Sequence, residues 1–152
     1  MAVHGVSRAT RDLDLLVTFT GCLDPATWTT LEREGLLVSI RHGDADDPLV
    51  GAVRVTAPGE APVDLVVGRA GWQAAAIEHA TTRTIDGLAV PVVTATDLIL
   101  LKLYAGGPQD AWDVEQLLAS GERPTLVASV GAALPLLPED SRRVWARIVG
   151  PR

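Results

Sequence analysis

The hydrophobic and polar positions change period part-way along the chain. Residues 12–17 (Asp-Leu-Asp-Leu-Leu-Val) alternate and then turn fully apolar, which predicts a strand. Asp24-Pro25 predicts a helix over 25–34, with Asp24 as N-cap, Pro25 at the first helical position and Gly35 after its end. Two strands, 36–41 and 51–56, flank a polar turn at 42–48, and Pro62 leads into a third strand at 63–67. Residues 71–80 are Ala-rich and helical, and 85–93 hold one or two short strands bent at Asp86-Gly87. From Thr96 the period lengthens: helices are expected over 97–105, 109–119, 124–133 and 139–148, the first two separated by Gly106-Gly107-Pro108. Strands first and helices last predict an α/β (α+β) fold, a mixed sheet with flanking helices and a helical C-terminal tail. No linker, repeat or low-complexity tract interrupts the pattern. The expected organisation is one domain over 1–152, a sheet-containing core in 1–93 and a helical part in 94–152.

Composition narrows the class. With 47% hydrophobic and 21% charged residues, the 152-residue chain can bury a sizeable core, which excludes wholesale disorder. Thirteen Lys and Arg against nineteen Asp and Glu leave a net charge of -6, which argues against a sequence-blind nucleic-acid clamp. No apolar run approaches the roughly 20 residues that span a membrane, so no membrane partner is expected and a cytoplasmic location is the default. Cys22 is the only cysteine, so an internal disulfide and a Cys-based zinc site are both excluded.

The chemistry-bearing residues are mostly acidic. Asp12 and Asp14 stand at i and i+2 of the first strand, so both carboxylates project from one face. Side by side they repel unless a cation lies between them, and Mg²⁺ or Mn²⁺ with phosphate oxygens meets that demand. Asp64 sits among Val63, Leu65, Val66 and Val67, where burial without a partner is costly. If the two strands are neighbours, Asp12, Asp14 and Asp64 converge as a metal site suited to phosphoryl or nucleotidyl transfer. The competing reading makes Asp12 and Asp14 surface partners of Arg8 and Arg11. Lys102 is the only lysine among thirteen basic residues and lies in the apolar run 97–104, where it either serves a ligand or snorkels to solvent.

His4-Gly5-Val6-Ser7-Arg8-Ala9-Thr10-Arg11-Asp12-Leu13-Asp14-Leu15-Leu16 resembles the segment hG-x-x-R-x-T-x-D-[IL]-D of minimal nucleotidyltransferases, the AbiEii-type abortive-infection toxins and their relatives. Residues 92–118 resemble that family's second block, an apolar helix with one lysine followed by a helix opening in D-x-x-D. The likeness runs in order through most of residues 3–118. It implies a nucleotidyltransferase-like fold that transfers NMP from an NTP to a hydroxyl with Mg²⁺. The acceptor it implies is a tRNA or a protein, in a toxin–antitoxin or phage-defence setting with a cognate partner protein.

Position by position, the resemblance implies Asp12, Asp14 and Asp64 as metal-binding and catalytic carboxylates, Asp64 helping to activate the attacking hydroxyl. Lys102 would reach the nucleotide phosphates. Asp110 and Asp113 would orient that lysine or touch substrate, although Gly107-Pro108-Gln109-Asp110 is also an ordinary helix start. Thr10 would bind metal water or phosphate, and Arg8 and Arg11 would clamp a triphosphate. The family's Gly-Gly or Gly-Ser pair, which cradles the triphosphate upstream, falls by spacing before Met1, and Gly5 and Ser7 lie too close to Asp12 to replace it. A chain start internal to the gene and a chain lacking the cradle both fit, so a non-catalytic nucleotide- or partner-binding scaffold is the alternative. His4, His42 and His79 have no metal-ligand spacing, and Trp28, Trp72, Trp112 and Trp145 are expected to pack helices. Local basic patches such as Arg142-Arg143 with Arg147 could still meet RNA.

Overall fold

The strands within residues 37–68 build a sheet whose core-facing side carries Val38, Ile40, Val53, Val55, Leu65 and Val67. The computed structural model describes residue 4 and residues 13–45, 47, 49–85 and 87–150. Two compact units divide the chain, residues 9–78 and residues 1–8 with 79–152. Among the described residues there are six α-helices, a four-stranded mixed sheet and a two-stranded antiparallel sheet, so the fold is α+β. No helix among them is long and apolar enough to cross a membrane.

In the unit 9–78 the elements are β1 (Leu13–Val17), α1 (Thr29–Arg33), β2 (Leu37–His42), β3 (Leu49–Thr56), β4 (Val63–Gly68) and α2 (Gly71–Glu78). Strand order is β1-β4-β3-β2. β1 runs parallel to β4, and the β2–β3 and β3–β4 pairs are antiparallel. Val53 and Val67 are fully buried with Cys22 and Leu23, and Val38, Ile40, Val55 and Leu65 pack around them. Each buried aliphatic side chain contributes roughly 1.5–3 kcal/mol. The residues between them, Ser39, Arg54 and Asp64, therefore point from the other face.

Tight backbone approaches shape this unit. A Cβ at Gly51 would lie 2.4 Å from the Arg41 carbonyl and 2.8 Å from Leu23, at the point where the β3–β4 register shifts. Only glycine fits there. Arg69, just after β4, donates to the carbonyls of Asp44 (2.7 Å) and Ala45 (2.9 Å) and so pins the β2–β3 connection. Buried Gln73 accepts from the backbone N–H groups of Arg69 (2.7 Å) and Ala70 (2.8 Å), fixing the turn into α2.

The predicted helix 25–34 is only half α-helical. Asp24 caps it as expected, accepting from Ala26 N at 2.9 Å, but Pro25–Trp28 is a 3₁₀ turn and α1 starts at Thr29. Thr27 and Thr29 donate their hydroxyls to the carbonyls of Gly21 (2.7 Å) and Ala26 (3.1 Å). Such local bonds compete with the α-helical ladder.

In the unit of 79–152, β5 (Thr81–Ile85) and β6 (Leu88–Val92) form an antiparallel ribbon with Ile85 opposite Leu88. β5 starts at Thr81, ahead of the strand expected from residue 85; its residues are exposed throughout and carry no apolar alternation, and three threonines suit an extended backbone. The helices are α3 (Ala95–Ala105), α4 (Pro108–Ser120), α5 (Arg123–Ala133) and α6 (Glu139–Val149). α3 packs against α4, α5 and α6, and Ile99, Leu103, Val114, Leu117, Val130 and Trp145 are buried. Thr94 caps α3 by accepting from Asp97 N at 3.2 Å, while its hydroxyl donates to the Asp97 carboxylate at 2.6 Å. Gly106 ends α3 in the left-handed region, φ 72°.

Candidate functional site

The parallel register of β1 and β4 sets Asp14 directly opposite Asp64. The antiparallel registers continue the row: Arg54 on β3 faces Asp64, and Ser39 on β2 faces Arg54. Asp14, Asp64, Arg54 and Ser39 thus cross the sheet on the face turned away from the Val53–Val67 core. Neighbouring strands lie about 4.8 Å apart, so two carboxylates stand abreast and repel each other.

Arg54 meets part of that repulsion. Its Nε donates to Asp64 Oδ1 at 2.7 Å and its Nη2 to Oδ2 at 2.5 Å, a two-pronged ion pair. The Arg54 side chain is 52% exposed and that of Asp64 20%, so the pair lies at the surface. The hydrogen bonds from Arg54 hold the Asp64 carboxyl below the usual carboxylate range, and the Arg54 and Arg41 charges add to this against a smaller opposing effect of burial.

The donor set fits a hard divalent cation. Mg²⁺ takes one or two carboxylates and completes its shell with water and phosphate oxygens, and Asp14 and Asp64 present two carboxylates on adjacent strands. Among the described residues no three His, Cys, Asp or Glu side chains gather as one cluster. Asp12, the third expected ligand, lies outside the described residues, as do Arg8, Thr10 and Arg11.

The second group of expected residues lies on α3 and α4. Lys102 Nζ donates to Asp110 Oδ1 at 2.9 Å and pairs with Asp113 Oδ2 at 3.0 Å. Asp113 is fully buried, and Gln109 Nε2 lies 3.4 Å from its other oxygen. Asp110 also accepts from Gly107 N at 3.1 Å, closing the first turn of α4. Both roles weighed for Asp110, orienting the lysine and starting a helix, are therefore filled by one carboxylate. Burial acts to lower the Lys102 pKa, but its bonds to Asp110 and Asp113 and their charges outweigh burial, and the net shift is upward. The ammonium stays charged, with two of its three N–H groups committed.

Asp14 and Asp64 belong to the unit 9–78, and Lys102, Asp110 and Asp113 to the other unit. Neither Arg54 nor Asp97 is among the residues expected from the sequence. Arg54 stands out only once strand pairing is known, because alternation shows that it faces away from the core but not which residue it meets. Asp97 is buried, with Thr94 on one oxygen and His79 Nδ1 at 3.4 Å. The Thr94-x-x-Asp97 spacing of a helix cap is its sequence signal.

Other expectations are altered by the packing. Trp112 is 43% exposed instead of packed, because its position on α4 points away from the buried Asp113–Val114–Leu117 face. Arg143 is tied to Glu139 and Asp140 on its own helix, which offsets much of the basic patch. A groove of about 380 Å³ separates Gly106, Gly107 and Pro108 from Val144, Arg147 and Ile148 of α6.

Compared with known proteins, the chain matches no family profile and no curated sequence.

Proposed function

We propose that this protein is a metal-dependent nucleotidyltransferase that passes NMP from an NTP to a hydroxyl of a tRNA or a protein. The observation that carries the reading is the Asp14–Asp64 register, which sets two carboxylates side by side at the surface face of a sheet. A pure scaffold gains nothing from like charges placed abreast. Asp14 and Asp64 would hold Mg²⁺, with Asp12 as the third carboxylate, and the bound ion would supply charge neutralisation to the triphosphate. The acceptor oxygen bonds to the α-phosphorus, the bond to pyrophosphate breaks, and Asp64 takes the hydroxyl proton. Lys102 would serve the phosphates only with the N–H that Asp110 and Asp113 leave over. The acceptor and the toxin–antitoxin or phage-defence setting rest on the sequence resemblance alone.

The test incubates the protein with each α-labelled NTP, Mg²⁺ and whole-cell lysate, beside Asp14→Ala and Asp64→Ala variants. Label on RNA or protein that both variants lack supports the reading and identifies the acceptor class. Label equal in all three, or in none, overturns it. The Arg54–Asp64 and Lys102–Asp110–Asp113 ion pairs favour a second reading, a nucleotide- or partner-binding scaffold whose charges are mutually satisfied. That reading expects Mg²⁺-independent nucleotide binding and no transfer.

A further inference from the structure

Arg54 occupies Asp64 in a way that bears on any cation bound there. Its guanidinium engages both carboxylate oxygens, at 2.7 and 2.5 Å, so the side of Asp64 open to a fork-shaped partner is filled. A divalent cation needs one of those oxygens at about 2.0–2.1 Å. A guanidinium and a dication on one carboxylate would also stand within a few ångströms of each other, where like charges repel. Simultaneous occupancy is therefore strongly disfavoured.

The pair is built to open. Arg54 is 52% exposed, and its neighbours Val53 and Val55 supply the core contacts of β3, so the guanidinium can turn to solvent without unpacking the sheet. The backbone of Asp64 is fixed by its pairing with β1 whichever way Arg54 turns.

We infer that Arg54 is a displaceable counter-ion: it neutralises Asp64 in the metal-free protein and competes with the cation for that carboxylate. This rests on the metal reading above. Arg54 is thus a positioning residue that sets the cation concentration at which the site fills. A surface ion pair of this kind keeps Asp64 engaged most of the time, and the apparent cation affinity is scaled by the fraction that is free, a loss of roughly twofold to sixfold.

The test titrates the full chain with Mn²⁺ alone and follows free Mn²⁺ by its electron paramagnetic resonance signal. Five proteins are compared: the unsubstituted chain, Arg54→Gln, Arg54→Lys, Asp14→Asn, and Arg54→Gln combined with Asp14→Asn. Circular dichroism checks that each keeps its fold. The expected result is a roughly twofold to sixfold tighter site in Arg54→Gln, little gain in Arg54→Lys, which keeps the charge, and loss of the gain when Asp14→Asn is added. A merely structural Arg54 would weaken or leave unchanged the binding on removal, never tighten it. Unchanged or weaker binding in Arg54→Gln, with Asp14→Asn still lowering affinity, overturns the counter-ion role and leaves the metal reading standing. Binding insensitive to Asp14 in every protein overturns both.

Discussion

Replacing Lys102 by methionine separates a phosphate-binding lysine from a structural one. Methionine keeps the apolar stem packed on α3 but removes the ammonium that pairs with Asp110 and Asp113 at 2.9 and 3.0 Å. Asp110 is partly solvated and retains its bond from Gly107 N, so its loss is small. Asp113 has no exposed surface and would be left as a buried carboxylate without its ammonium partner, with Gln109 Nε2 3.4 Å from Oδ1. Removing one partner of a buried pair costs about 3–5 kcal/mol, and the one-fifth exposure of Lys102 places this case near 3 kcal/mol.

That is a large share of the roughly 5–15 kcal/mol that holds a folded domain together. Asp113→Asn removes the charge and keeps the shape, at a cost of about 1–2 kcal/mol. The two substitutions together should be at least about 2 kcal/mol more stable than their summed costs, because the neutral amide no longer needs the ammonium. Urea denaturation at pH 7, followed by helical circular dichroism, measures all four corners of the cycle. A cost below about 1 kcal/mol for Lys102→Met, or simple additivity, would refute a buried clamp between α3 and α4. With the clamp confirmed, loss of nucleotide binding in a Lys102 variant would have to be judged against the double variant.

Gly106→Ala should destabilise by about 1 kcal/mol, since φ is 72° there while the nearest atoms to an added Cβ are 3.9 Å away; an unchanged denaturation midpoint would contradict a conformational cost. The ion pairs also predict opposite pH limbs. Asp64 has a lowered pKa, so its contribution is full above the ordinary value of 3.8 and is lost as pH falls through the lowered one, a component that Arg54→Gln should remove from acid titrations of stability. Lys102 has a raised pKa, so its contribution is full below 10.5 and is lost only as pH climbs through the raised value; an alkaline limb unchanged in Lys102→Met would count against it.

Much of the fold was legible in local pattern. Apolar runs bounded by turn residues marked β2, β3 and β4, and the longer period from Thr96 marked the helices, because side-chain direction repeats every 3.6 residues in a helix. The helix start at Asp24 and the break at Gly106-Gly107-Pro108 followed from single residues whose backbone preferences are strong. The β5 strand was not legible, since an exposed ribbon needs no apolar alternation.

The candidate site divides in the same way. The sequence alone placed Asp64 in an apolar strand and Lys102, Asp110 and Asp113 on two consecutive helices. Which strand lies beside which was decided only in three dimensions, by hydrogen bonding between segments some fifty residues apart. That pairing brings Asp14 to Asp64, and the β3–β4 pairing, across only ten residues, gives Asp64 its arginine; neither leaves a local trace because each residue alone is compatible with many partners. The burial of Asp113 likewise depends on how α3 seats against α4, a packing outcome that leaves this second-turn acid of α4 fully buried beside Lys102.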